Sequence, residues 1–322
     1  MSVIVFAENW EGRFKKTTFE AVSYAKRVAD AMGVDTIAAV IGNLTDDAAS
    51  LGKYGASKVL HLQSEALQSF DAAAYASALK QVAEAQSAQA VVVSGTFNGK
   101  SIVPSLSVQW NATAITNISE LPESVSPMRV KRSAFSSKGY VMYESQAARS
   151  VLSFIPNGIG VVEFDGTASV ETLALDGVSA RTTVKSVDRA KGSIPLPEAE
   201  IVVSGGRGLK GPENWGMIEE LADLLGAGTA CSKPVSDMHW RPHSEHVGQT
   251  GIAINPNLYI AVGISGAIQH LAGVSNSKTI VVINADAEAP FFKAADYGVV
   301  GDAFQVLPAL TAAVRKFKEH NG

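Results

Sequence analysis

The sequence predicts an α/β protein of two domains, the first built on a mostly parallel sheet with an antiparallel extension, the second on another parallel sheet. Three observations predict it. Short β-branched runs alternate with amphipathic stretches of helical period in the N-terminal part. After Pro122 that rhythm gives way to short, turn-bounded, alternating segments. It resumes beyond DRAKGSIPLPEA, residues 188–199, where two prolines, a glycine and charges read as a linker.

In chain order, the expected strands of the first domain are Val3 to Ala7, Thr36 to Ile41, Lys58 to Leu62 and Ala90 to Ser94. Helices are expected over Thr17 to Met32, closed by Gly33, and over Ala72 to Ala85. VKRSAF, GYVMYES, SVLSFIP and TASVETLAL are expected as the antiparallel extension. The second domain is expected to run strand Ile201 to Val203, helix Glu213 to Leu225, strand Leu258 to Val262, helix Gly266 to Ala272, strand Thr279 to Ile283 and helix Phe304 to Lys318. This divides the chain into a domain of residues 1–187, the linker 188–199 and a domain of residues 200–322.

Composition narrows the function. The 322 residues suffice for roughly two domains with full cores, and 46% hydrophobic with 18% charged residues is globular rather than disordered. A formal net charge of −4 provides no bulk positive field, which argues against a nucleic-acid partner. One cysteine, Cys231, can form no internal disulfide and alone holds no iron–sulfur cluster. No run approaches the roughly 20 apolar residues of a membrane span, and the opening SVIVFAE reads as a buried strand rather than a leader. The expectation is a cytoplasmic protein without membrane insertion.

Three stretches carry candidate chemistry. SGGRGLKGPEN follows the first strand of the second domain, and Gly206, Gly208 and Gly211 fit the glycine spacing of a dinucleotide turn. The acidic residue expected at the end of the next strand is missing, which disfavours a plain NAD site. CSKPVSDMHWRPHSEH gathers Cys231, His239, His243, Glu245 and His246, but its spacing matches no usual zinc pattern and reads as a polar loop. VGQTGIAINPNLYIAVGISGAIQHLAG sets two glycine-bracketed loops around a strand. The amides from Ser265 to Ala267 form an anion cradle at a helix start, Gly248 and Gly251 allow close backbone approach, and Gln249 and Thr250 offer hydrogen bonds. His270 alone reads equally as a core histidine or a functional one; beside two such loops it reads as facing a group that gains negative charge.

Those stretches, with INADAEAPFF and ADYGVVGD in the same order and spacing, resemble the alpha subunit of electron transfer flavoprotein. VVVSGTFNGKSIVP, Val91 to Pro104, is similar to the strand-turn-helix of that family's first domain. The resemblance implies a nucleotide-binding-like first domain, a Rossmann-like FAD-binding second domain, and a heterodimer with a beta subunit. It implies an electron carrier rather than an enzyme. Flavin dehydrogenases, acyl-CoA dehydrogenases of fatty acid β-oxidation among them, would donate electrons, and a quinone oxidoreductase would pass them toward the respiratory chain. Carried over residue by residue, its FAD contacts fall on Arg207 and Ser232, on Val247, Gly248, Gln249 and Thr250, and on Ser265, Gly266, Ala267, Ile268, Gln269 and His270. Asn284 and Asp302 correspond to its adenosine side. Two neighbours depart from the family's pattern: Lys233 stands where arginine is usual, keeping charge without the planar fork, and His246 where glutamine is common. Reduction places negative charge at the flavin's N1 and O2, so a positive or donating His270, with Lys233 or Arg207 near, is expected to raise its potential.

Overall fold

The computed structural model describes residues 1–135, 139–187 and 195–321. The chain forms two compact units, one chiefly of the residues up to Asp188 and one chiefly from Arg189 onward. In the first, strand β1 (Ser2–Phe6) is followed by a small antiparallel ribbon of β2 (Asn9–Trp10) and β3 (Arg13–Phe14). Helix α1 (Lys16–Met32) buries Ala21, Val22, Ala25, Val28 and Ala29, the three-and-four spacing of a helix with one face on a sheet, and ends where Gly33 turns left-handed with φ 67°. Next come β4 (Asp35–Ile41), β5 (Lys58–Gln63), α2 (Ala72–Ala85), β6 (Ala88–Ser94), α3 (Phe97–Trp110), β7 (Thr113–Ile118), β8 (Ser124–Val125), β9 (Met128–Ala134), β10 (Gly139–Ser145), β11 (Ser150–Phe154) and β12 (Ser169–Ala174).

These strands make one sheet in the order β10-β9-β7-β11-β6-β1-β4-β5-β12, with β8 beside β9. Its centre is parallel, and β9 runs antiparallel to β7 and β8. The antiparallel extension is therefore narrower than expected. SVLSFIP holds β11, which pairs parallel with both β6 and β7, and TASVETLAL holds β12, parallel to β5. All five residues of β11 are buried, the signature of a strand covered on both faces. Val3, Val5, Val92 and Leu152 pack under α1 on one face of the sheet; Ile4, Phe6, Val91 and Val151 pack with buried residues of α2 and α3 on the other.

Strand order reverses between β1 and β6, the place where such sheets take ligands. There Glu8 accepts hydrogen bonds from Thr96 Oγ1 and Asn98 Nδ2, each at 2.7 Å, while Thr96 caps α3 by accepting from the Gly99 amide. The head of that helix already faces a carboxylate of the protein itself.

The second unit contains β13 (Ile201–Gly205), α4 (Gly216–Leu225), β14 (Gly228–Cys231), α5 (Lys233–Asp237), β15 (Leu258–Val262), α6 (Ile268–Val274), β16 (Thr279–Asn284), β17 (Tyr297–Val300) and α7 (Ala303–Asn321). Its five strands are all parallel in the order β14-β13-β15-β16-β17. The unit's second strand lies on one side of its first and the third on the other, a doubly wound arrangement whose switch point falls between β13 and β15. Helix α4 starts at Gly216 rather than Glu213, because Pro212–Asn214 closes a separate 3-10 turn. Of the expected linker, residues 188–194 lie outside the described residues, whereas Leu196 and Ala199 are buried with Val202 and Ala230 in this unit's core. No helix among the described residues is long and apolar enough to cross a membrane.

Candidate functional site

Every turn that leaves a strand of this sheet at its carboxyl end is pinned to the next. Past β13, the amides of Gly206 and Gly208 donate to the carbonyls of Val262 and Gly263 at 2.8 and 3.1 Å. A Cβ on Gly206 would lie 2.2 Å from the Gly263 oxygen, so the close approach of these two turns requires glycine. Past β14, the Ser232 amide donates to Gly205, and the Val247 amide donates to Cys231, which lays the 246–252 loop beside β14. That loop is tied in turn to α6 through the Gln249 amide, which donates to the Gln269 carbonyl at 2.7 Å. At the end of β16, Asn284 Nδ2 donates to the Ile264 carbonyl at 3.0 Å.

Between these turns lies a cavity of about 670 Å³, within the range of small-molecule and cofactor sites. Its wall takes Arg207 and Gly208 from β13's turn; Ser232, Lys233 and Pro234 from β14's; the run from His246 to Thr250; Gly263, Ile264, Ser265, Ala267, Gln269 and His270 around β15's turn and α6; and Asn284 with Asp286 past β16. Of the residues singled out in the sequence, Arg207, Ser232, Lys233, Val247, Gly248, Gln249, Thr250, Ser265, Ala267, Gln269, His270 and Asn284 share this wall. Three stand outside it. Gly266 turns at φ 83° against Phe291, Ile268 points outward, and Asp302 caps α7 by accepting from the Phe304 amide at 3.1 Å. Asp302 nonetheless follows β17 at the same edge of the sheet that carries Asn284.

His246, which the sequence shows both in a polar loop and next to the VGQTG contacts without counting it among them, lies in the wall. Its ring is 2% exposed, Nδ1 has no hydrogen-bond partner, and Gly248 and Gly251 supply the room it fills. Burial, then the neighbouring His243 and Lys233, push its pKa below the usual histidine value, against a smaller opposing pull from Asp237. The part of the loop around Arg241 is tied to its neighbours. Arg241 makes a paired bond to Glu245 at 2.9 and 2.6 Å, reaches Glu219 on α4 at 2.9 Å and lies over the Trp215 ring. Burial pushes the Cys231 thiol up to about 12, so it is inert at neutral pH. No group of three or more His, Cys, Asp or Glu among the described residues is placed to hold a metal ion.

His270 is 6% exposed, with its ring edge-on to Phe291. Nε2 lies 2.8 Å from the hydroxyl of fully buried Tyr259 on β15, and Nδ1 has no partner of good geometry. Burial above all, and then His246, push its pKa down to about 4, although the Val247 backbone beside the ring favours the proton. The sequence allows a positive or a donating His270; burial leaves the neutral donor at pH 7.

The wall fits the cofactor that the motifs imply. The amides of Ser265, Gly266 and Ala267 donate to no backbone carbonyl among the described residues and suit a pyrophosphate; Arg207 and Lys233 bring positive charge to the same wall. Two buried imidazole nitrogens stand without partners beside the same cavity, the kind of orphaned polar atom that a bound group satisfies.

Comparison with known proteins agrees with this site. Residues 195–275 match the family model described as the electron transfer flavoprotein FAD-binding domain, and residues 3–177 match the electron transfer flavoprotein domain. The chain is 37% identical to the electron transfer flavoprotein subunit alpha of Syntrophomonas wolfei, over 97% of this chain and 98% of that one. It is 36% identical to the subunit of the same name from Bacillus subtilis, over 99% of each chain. To that of Pseudomonas aeruginosa it is also 36% identical, over 98% of this chain and all of the relative.

Proposed function

This chain belongs to the electron transfer flavoprotein alpha-subunit family, and from that premise we propose how it serves as an electron carrier with FAD as cofactor. FAD supplies the redox chemistry, since a flavin takes and releases electrons one at a time. The protein's share is to hold, orient and tune it, and no nucleophile or acid–base pair is needed. The amides from Ser265 to Ala267 hold the pyrophosphate; Arg207 and Lys233 lie at the flavin, to which and to its ribityl chain Gln249, Thr250 and Ser232 offer hydrogen bonds; His270 presents a neutral imidazole to the redox-active end. Asn284 and Asp302 serve the adenosine half. The observation that carries this reading is the cavity itself, walled by the turns of four adjacent strands at a switch point and provided with unengaged donors.

In the full reading the carrier works as a heterodimer with the beta subunit in the cytoplasm. It accepts electrons from flavin dehydrogenases such as acyl-CoA dehydrogenases and delivers them to a quinone oxidoreductase. The test is co-purification with the beta subunit, an absorbance spectrum, and reduction of the bound flavin by an acyl-CoA dehydrogenase and its substrate. A yellow complex that such a dehydrogenase bleaches is the expected result; a complex that retains flavin but accepts no electrons from it would refute that donor class.

Asp302 gives a separate check. Asp302→Ala is expected to increase flavin loss on dialysis while leaving the reduction potential nearly unmoved. Asp302→Asn, which keeps a cap for α7, distinguishes ligand contact from helix capping: flavin retained by Asn and lost by Ala would leave Asp302 with a capping role alone.

A further inference from the structure

We propose that Tyr259 is a positioning residue for the cofactor site, its hydroxyl holding His270 as the neutral tautomer with the proton on Nδ1. The inference rests on the reading of the cavity as the FAD site. Tyr259 lies on β15, with no exposed surface, and its Oη is 2.8 Å from His270 Nε2. Which of the two groups donates follows from the phenol. Its hydroxyl is fully buried and has His270 Nε2 as its one hydrogen-bond partner among the described residues, so an N–H at Nε2 would leave the phenol's own proton without an acceptor. Nε2 is therefore the acceptor, the Tyr259 hydroxyl donates to it, and the ring's proton lies on Nδ1, which has no hydrogen-bond partner in the protein while His270 lines the cavity.

The phenol is suited to that part. Burial raises its pKa far above neutrality, and it keeps its proton. Tyr259 and His270 thus link β15 to the cavity wall, the phenol donating to Nε2 and leaving the Nδ1 proton unengaged by the protein. Removing the phenol hydroxyl leaves Nε2 free to compete for the proton, and the imidazole then presents two tautomers to the cavity instead of one.

The experiment uses the chain labelled with 15N-histidine, in complex with its unlabelled partner. Six histidines keep the spectrum sparse, and a His270→Gln spectrum identifies the His270 signals. Wild type is expected to show a protonated Nδ1 and an unprotonated Nε2. In Tyr259→Phe the two nitrogen signals are expected to move toward each other as the tautomers mix, and the one-electron potential of the bound flavin is expected to shift. Tyr24→Phe is the control, another fully buried tyrosine whose hydroxyl has no partner, in the first unit; it is expected to move neither readout. A wild-type His270 with its proton on Nε2 overturns the proposal, and so does a Tyr259→Phe protein with unchanged tautomer or unchanged potential. Should that variant not fold, the wild-type spectrum still decides. Absence of flavin from the complex would overturn the cofactor reading, while the tautomer judges Tyr259 separately.

Discussion

His270 shows how one residue's burial sets a measurable property. An unfolded histidine titrates near 6.5, whereas burial holds this one at about 4. Between those values the unfolded chain binds a proton that the folded chain refuses, so falling pH favours unfolding. The stability that goes with a neutral, buried ring is complete above about pH 6.5 and is lost as the pH drops toward 4, on the order of 3 kcal/mol in all. Urea unfolding of wild type and His270→Gln should therefore diverge at neutral pH and converge in acid, once the change in their common carboxylates is subtracted. A constant difference across that range would mean that the ring is protonated in the fold. At this scale the sequence was informative where side chains carry the chemistry, because VGQTG and ISGAIQH name their own donors. It was silent on Gly263, which lines the wall through backbone alone, and it did not place the ring of His246 in that wall, because the ring is aimed by the glycines after it.

Helix α2 shows an element held at its start by one side chain. Asp71 accepts from the amides of Ala73 and Ala74 at 3.0 Å, and also from the Arg181 and Thr182 amides at 3.2 Å and the Thr182 hydroxyl at 2.6 Å. One carboxylate thereby caps a helix and fastens the end of the first unit's chain. The Thr182 hydrogen bond first, and the backbone amides with it, hold Asp71 below the usual carboxylate range. Its contribution is present above an unfolded value near 3.9 and is lost as the pH falls through the lower folded one. Asp71→Ala should cost about 2 kcal/mol in urea unfolding at neutral pH, a cap plus further hydrogen bonds; a loss below about 0.5 kcal/mol would show the 181–182 segment to be held by other contacts. Elements with a strong period, such as α1 and α2, were readable in advance. Helix α3 was less so, as Pro104 and several serines blur its period. The short β14, reading GTAC, and the exposed edge strand β17 carry neither an apolar run nor alternation. The direction of β11 was not readable at all, because its partners β6 and β7 are chosen by tertiary packing and not by its own five residues.

The whole molecule is two α/β units, each with a sheet covered on both faces, and it offers two switch points where a nucleotide cofactor could bind. They differ in what already occupies them. In the first unit, Glu8 faces the head of α3 and satisfies Thr96 and Asn98; an incoming phosphate would meet a fixed negative charge. The second unit's switch point opens on a cavity with unengaged amides and the cations Arg207 and Lys233. FAD should therefore stabilise one unit and not the other. A ligand that binds only the folded state, at a hundredfold excess over its Kd, adds about 2.7 kcal/mol, which slows exchange of the amides it protects roughly a hundredfold where they open with that unit. Hydrogen exchange of the complex with the beta subunit, with and without FAD, is expected to show that slowing in residues 205–208, 246–252 and 263–271, with the sheet strands β13 and β15 following. Amides around Glu8, Thr96 and Asn98 are expected to exchange at the same rate in both samples. Protection confined to those first-unit residues would move the cofactor to the other switch point. Gly206→Ala supplies the reciprocal arm: its Cβ would collide with the Gly263 carbonyl, so the second-unit protection should vanish while exchange in the first unit stays as it was.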